Sequence, residues 1–448
     1  MGLKEIRDAL GKDKKMCHVL IAVMVLGLAL QAFLFSRVWV GGDQVGLMRV
    51  GIRFAEERTL KPTSKKMSGG GRIPGGMLQI LLGAPLIVVP HYKAPIVVIS
   101  LLHILSLLFL AEVMFKTMGL RFMVAFMSLY WLSPWRLYHG SIMWEPSYFY
   151  FFSAVHLWAC FKLSTRPSLL PSLMLGVLGA VTPQVHGQFL ILWLASFFLF
   201  AKKLIKVHYV AVVIGLLIGG LTLIPMALEA KAGATTGVAP KHSYIGRSLV
   251  KMYPPLKTLV YWARFSSMDV GRVLTKTIFF SDAWADRTSA NSAISLIARV
   301  LNWMALASIG LGFLASFLYF HQFFRKEHRE AEGKESGDGG MKWLAWYCLV
   351  MLISMFVASC LSPVTMQSWH MVIGLPAACV PVAFLIERYW NNRRKICRAI
   401  FIAFIVLRIP IAGLIGTGHV WFRRGLPGMT VEQFNNEMPE KYRVKSDE

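Results

Sequence analysis

The chain has 448 residues, 56% of them hydrophobic and 16% charged, with a mean hydropathy of +0.54 and a formal net charge of +25. A water-soluble domain of this size needs more charge to cover its surface, so the excess apolar area must face lipid. The basic residues lie between apolar runs, which assigns them to membrane topology and anionic headgroups rather than to nucleic acid.

The first run, Met16–Val40, follows a basic tail, residues 1–15, that carries Lys4, Arg7, Lys12, Lys14 and Lys15. Its 25 residues exceed a signal-peptide core and no small-residue cleavage site follows, so it reads as an uncleaved anchor. Ten further runs are long enough to cross or nearly so: Pro95–Met114, Phe122–Leu137, Tyr148–Leu163, Leu169–Pro183, Gly187–Phe200, Tyr209–Leu228, Ala293–Phe320, Trp343–Leu361, Met371–Glu387 and Ala399–Thr417. The expected fold is all-α: a polytopic transmembrane helical bundle of about eleven spans, forming one integral membrane domain over residues 1–448.

Lys and Arg set the orientation. Short loops at Lys116/Arg121, Lys162/Arg166, Lys202/Lys203/Lys206 and Arg388–Arg398 are basic, as is the polar linker within 321–342, where Arg325–Gly340 suggests a flexible connection. The alternate loops Pro183–His186 and Ser362–Trp369 hold no Lys or Arg, and Ser133–Pro146 holds only Arg136. The N-terminus is therefore expected inside and the C-terminal tail, 418–448, outside. One segment breaks the parity. Ile73–Pro90 is apolar, short and interrupted by Pro and Gly, and a full crossing there would put every later basic loop outside. It reads as a re-entrant or interfacial element, a backbone form tolerated only where protein or a water-filled cavity covers it.

Ionisable residues gather in the outer loops. In the first, 41–94, Val45, Met48, Ile52 and Ala55 make one helical stripe and Arg49, Arg53 and Glu57 another, an amphipathic interfacial helix. Asp43 stands where an N-cap is expected, and a cap or a functional carboxylate are equally good readings of it. Lys61, Lys65, Lys66 and Arg72 then flank three glycines, which suits a phosphate and suits a solvated loop still better. The second outer loop, Ser133–Ser147, places Arg136, His139 and Glu145 among aromatic residues of an interfacial belt. In the third, Gln184 and His186 interrupt apolar sequence; a helix–helix hydrogen bond is the simpler role for Gln184. The large outer loop, 229–291, begins with Glu229 and Lys231 and has a basic excess to which the loop-charge rule does not apply. The last outer loop brings Gln367, Trp369 and His370 to the start of a span. The six cysteines have neither metal-ligand nor disulfide-framework spacing, and no metal site or cofactor is expected.

In order along the chain stand GGDQ (41–44), RIPGGMLQILLGAPL (72–86), a Ser-Pro…Trp-Glu-Pro-Ser loop (133–147), Gln-x-His (184–186), LTLIPMALE (221–229) and LPAACVPVA (375–383). This order resembles the GT-C superfamily of membrane glycosyltransferases, most of all the bacterial members related to protein mannosyltransferases and the lipid A aminoarabinose transferase. It departs from them in carrying Asp43-Gln44 where many relatives have Asp-Glu, and Glu145 where similar bacterial chains often have Asn. The resemblance implies a multi-pass protein of the bacterial inner membrane with its active site on the periplasmic side. It implies a polyprenyl-phosphate sugar donor and, as acceptor, a lipid, glycan or protein. It also implies Asp43 as general base with Glu145 as a second catalytic carboxylate. Arg72, Arg136 and Lys231 would stabilise the departing phosphate, and His139, Gln184, His186 and His370 would line the substrate site. Two other classes remain open: an O-antigen ligase or polymerase, in which Arg247 or His242 of the large loop would matter more than Asp43, and a lipid-linked-sugar flippase using mid-span His103 and His156.

Overall fold

The computed structural model describes residues 2–36, 41–66, 72–231, 253–268, 292–331, 339–362, 366–390, 395–416 and 431–444. Nearly all of them are helical. Among the described residues six helices are long and apolar enough to cross a membrane, and their lipid-facing sides leave Val25, Leu101, Leu217, Trp303 and Phe317 exposed. The protein is a multi-pass membrane protein.

The N-terminal residues form α1 (Gly2–Lys12) and the first anchor is α2 (Lys14–Ser36). Next come α3 (Gly42–Glu57), a two-stranded antiparallel hairpin of β1 (Thr63–Lys66) and β2 (Arg72–Pro74), and the short apolar α4 (Met77–Val88). At twelve residues α4 is roughly 18 Å long, well short of a ~30 Å hydrocarbon core. It lies along α3, with Gly51 and Gly83 meeting where a side chain would strike backbone or Phe54.

α5 (Ala94–Trp131) contains Gly119 at φ +83°, a left-handed position that a residue with a Cβ adopts only under strain. The chain reverses there, so Ser106 Oγ lies 3.2 Å from Tyr130 Oη. One hydrogen-bonded element thus holds two of the expected spans. The second ends at Trp131, six residues before the sequence boundary, because Ser133-Pro134 starts a separate short helix, α6 (Pro134–His139).

The bundle continues with α7 (Phe149–Leu163), α8 (Leu169–Val181), α9 (Phe189–Ala201), α10 (Tyr209–Gly220) and α11 (Ile224–Lys231). Gly176 on α8 meets Gly215 on α10, and Gly219 lies against Ala180, the small-residue contact by which helices approach closely in lipid. Of the large outer loop only 229–231, at the end of α11, and 253–268, which contain α12 (Tyr253–Ser266), are described, so Arg247 and His242 lie outside the described residues.

α13 (Ser292–Ala331) runs into the segment expected to be a flexible linker, because FFRKEHREA is rich in helix formers and has no breaker. α14 (Gly339–Leu361), α15 (Leu375–Trp390), α16 (Lys395–Val406) and α17 (Arg408–Gly416) complete the bundle.

Loops segregate to two poles. At one, Glu112 accepts hydrogen bonds from the Gly2 backbone, Trp158 and Lys162, Lys116 pairs with Glu5, and Trp343 Nε1 donates to the Leu204 carbonyl. At the other, Gln44 Nε2 donates to the Met143 carbonyl and Gln188 Nε2 to the Trp369 carbonyl. Here the C-terminal residues pack on α3. Arg49 pairs with Glu437, Lys441 with Glu56, and Tyr92 meets Phe434 of α18 (Val431–Asn436) edge-on. The loops expected on each side of the membrane thus share a pole.

Candidate functional site

The second pole brings together carboxylates from distant parts of the chain. Asp43 lies in the first turn of α3, and the residue in the N-cap position is Gly41, extended and without a side-chain cap. The cap reading of Asp43 is thereby corrected: its side chain does not close the helix. Instead Asp43 Oδ1 accepts a hydrogen bond from Lys65 Nζ at 2.9 Å, and the same Nζ lies 3.0 Å from Glu145 Oε1. The two carboxylates are therefore no more than about 6 Å apart.

Their surroundings differ. The Glu145 side chain is 5% exposed and the Asp43 side chain 34%. Burial pushes the Glu145 carboxyl above its ordinary range, Lys65 opposes that, and the Asp43 charge adds to it. Burial alone would lower Lys65, but Glu145 and Asp43 outweigh it and hold the ammonium above its usual value. Two acidic groups of unequal exposure that share one cation suit divided roles, with the wetter one meeting substrate.

Local structure explains how three distant residues meet. Gln79 locks the hairpin that carries Lys65: its Nε2 donates to the Lys61 and Gly75 carbonyls and its Oε1 accepts from the Lys61 amide. Gly75, at φ +71°, turns the chain from β2 towards α4 against Gln184. Gln184 Oε1 accepts from the Met77 amide and Thr222 Oγ1, while its Nε2 donates to the Ala180 and Gly219 carbonyls. Gln184 is thus a fully bonded brace between elements, as the simpler reading had it. Gln44 ties α3 to the loop that carries Glu145 by donating to a carbonyl. An ionised glutamate at that position would have no proton to give, so the amide of Gln44 serves the loop's placement.

The other residues singled out in the sequence separate into two groups. Arg136 is fully buried. Its Nε and Nη2 donate to the Trp131 carbonyl and its Nη1 to Gln31 Oε1, with the guanidinium 3.7 Å from the centre of the Trp131 ring. Arg72 is exposed at the start of β2 and Lys231 is exposed at the end of α11. None of the three pairs with the carboxylates; among the described residues the cation that does is Lys65. In the sequence Lys65 is one of several lysines ahead of a glycine run, and only the hairpin register distinguishes it from Lys66.

His139, His186 and His370 belong to a continuous run of rings along this pole. His139 stacks on Trp144 with centroids 5.5 Å apart, Trp144 meets Trp369 at 5.7 Å, Trp369 meets His370 at 5.6 Å and His370 stacks on His186 at 5.5 Å. Burial lowers His139 to about 3 and His370 to about 4. Burial, then His370 and Lys65, hold His186 well below its ordinary value. All three rings are neutral at pH 7.

No protein-family model, curated protein or solved structure matches the chain.

Among the described residues no cluster of His, Cys, Asp and Glu has the makings of a metal site. Mid-span His156 is bonded on both sides, to Tyr347 Oη and Ser196 Oγ at 2.9 Å each, and His103 Nε2 donates to the Ser147 carbonyl at 2.8 Å. Sequence reasoning did not single out Arg408, which is buried and donates to the carbonyls of Leu129, Ser266 and Ser267. An arginine inside an apolar run is the signal that could have found it.

Proposed function

We propose that the chain is a glycosyltransferase of GT-C type that moves a sugar from a polyprenyl-phosphate donor to an extracytoplasmic acceptor. In this reading it crosses the bacterial inner membrane about eleven times, α4 lies at the interface without crossing, and the pole holding Asp43 faces the periplasm. The observation that carries the proposal is the convergence of Asp43 and Glu145 on Lys65 Nζ. The order of motifs, which resembles that superfamily, supports it.

The chemistry divides among these groups. Asp43, the more exposed carboxylate, takes the proton from an acceptor hydroxyl or amine as that group attacks the anomeric carbon. The bond from the anomeric carbon to the phosphate oxygen breaks, and its electron pair leaves on the lipid phosphate, so no acid is required at the leaving group. Lys65 holds Asp43 in place and supplies positive charge beside the developing phosphate. Glu145, behind Lys65, fixes the ammonium. The ring wall offers flat apolar faces for a sugar.

The test is sugar transfer from a polyprenyl-phosphate donor by purified Asp43→Asn protein. Asn preserves size but cannot accept the proton, so transfer should fall roughly 10²–10⁴-fold while the melting profile stays near that of the parent. Near-normal transfer would remove Asp43 from the chemistry.

A further inference from the structure

The stacked pair His186–His370 has two donor groups that no described residue engages. The His186 Nδ1 accepts from the Gln188 amide at 3.3 Å, and the His370 Nδ1 accepts from the Gln367 amide at 2.9 Å. An Nδ1 that accepts carries no proton, so each neutral ring carries its proton on Nε2. Neither Nε2 has a hydrogen-bond partner among the described residues, and neither is among the fully buried orphan atoms. The rings lie within 18° of parallel, so both N–H groups emerge from one stack.

Both rings are braced. His370 and Gln367 cap each other reciprocally at the turn Ser368–His370, and Tyr261 Oη donates to Gln367 Oε1 at 3.4 Å. His186 packs edge-on against Phe149, four residues after Glu145, with centroids 6.1 Å apart. Below, Gln188 Oε1 accepts from the Ile373 amide and its Nε2 donates to the Trp369 carbonyl, tying the two histidine loops together. A pre-set pair of donors costs little to organise when a ligand arrives.

We propose that His186 and His370 form a phosphate-binding pair, their two Nε2–H groups donating to the oxygens of a phosphate monoester borne on an apolar chain. Phosphate oxygens offer only acceptors, which matches two donors and no acceptor on the protein side. Lys65 is close enough for its charge to depress His186, so a phosphate held by the pair feels that ammonium as well. Because the rings are neutral, they bind without adding positive charge that would hold the product after transfer. The proposal rests on the glycosyltransferase reading and assigns the place of its leaving group.

Its test is direct binding of undecaprenyl phosphate to the full chain in nanodiscs, with undecaprenol and inorganic phosphate as comparisons. The variants are His186→Phe, His370→Phe, the double Phe variant and His186→Gln. Phe keeps a flat ring in the stack and removes the donor, whereas Gln restores an N–H near the Nε2 position.

Each Phe change should weaken undecaprenyl phosphate binding roughly tenfold, the scale of one hydrogen bond to a charged acceptor, with Gln in between. Undecaprenol binding should not change. Wild-type binding left intact in the double Phe variant would overturn the histidine assignment alone, as would equal loss of undecaprenol binding, which would mark a purely structural role. Equal affinity for inorganic phosphate would overturn the lipid assignment. Failure of the wild type to bind undecaprenyl phosphate at all would overturn this inference together with the function beneath it.

Discussion

Replacing Lys65 by methionine removes the cation that pairs with both Asp43 and Glu145 while nearly preserving the side chain's length. Truncating one partner of a buried ion pair costs about 3–5 kcal/mol, because the remaining charge stays buried and uncompensated. Here the Lys65 side chain is 19% exposed and that of Asp43 34%, so water screens part of the cost. The expected loss is about 2–3 kcal/mol, most of it borne by Glu145, whose side chain is 5% exposed.

The loss depends on pH. Glu145 already titrates above the ordinary carboxylate range in the folded protein, so the unfolded chain releases its proton first. Its ionisation therefore costs stability as pH rises from about 4.5 through the folded value. Without Lys65 that cost grows. The deficit of Lys65→Met relative to wild type should accordingly be largest near pH 7 and shrink as pH falls below about 4.5, where Glu145 is protonated in both folded and unfolded states.

Adding Glu145→Gln to Lys65→Met should recover more than half of the lost melting temperature, and a double-mutant cycle in detergent at both pH values measures the coupling. A deficit independent of pH, together with strict additivity of the two changes, would refute the claim that this cluster is an electrostatic unit.

Three further outcomes follow from the geometry. Gln184→Leu should cost about 1–3 kcal/mol for the groups left unpaired and lower transfer through the misplaced hairpin, which a melting curve and a kcat measurement would separate. Arg136→Ala should lower thermal stability and leave polyprenyl-phosphate affinity unchanged, since its donors are engaged by Trp131 and Gln31; selective loss of lipid-phosphate binding in a stable protein would contradict this. Single cysteines at Gly187 and Ser368, in a background lacking the native cysteines, should react with an impermeant thiol reagent in intact spheroplasts, whereas one at Lys203 should not. Labelling at Lys203 would invert the orientation.

Much of this was legible from pattern. The apolar runs gave the helices because burial of backbone polar groups in lipid leaves helix as the local solution, and the α3 stripe Val45, Met48, Ile52 and Ala55 is buried as its spacing implies. The parity anomaly at Ile73–Pro90 drew attention to a real helix too short to span. What sequence did not yield was pairing. Nothing local distinguishes Lys65 from Lys61 or Lys66; its meeting with Glu145 depends on a hairpin register and on Gln79 and Gln184, neighbours remote in sequence. Arg136 illustrates the converse. A cation beside polar residues in an outer loop invites an anionic partner, yet a guanidinium can be satisfied by one carbonyl, one amide and an aromatic face. The N-terminal boundary of α3 was misplaced by two residues, enough to confuse a cap with a first-turn carboxylate.

The packing of the C-terminal residues on α3 bears on the order of synthesis. Arg49 and its partner Glu437 are separated by 388 positions, so the helix bearing Asp43 emerges early and keeps its charged face uncovered while the bundle is inserted. Before residues 431–444 are made, that helix already has α4 along its apolar side, Lys65 on Asp43 and the Met143 carbonyl on Gln44. Glu437 and Lys441 then clasp α3 through Arg49 and Glu56, so a change at either of those late residues is felt on a helix made near the start. A nascent protein stalled after its last span would hold Asp43, Lys65 and Glu145 and still lack the outer clasp on α3.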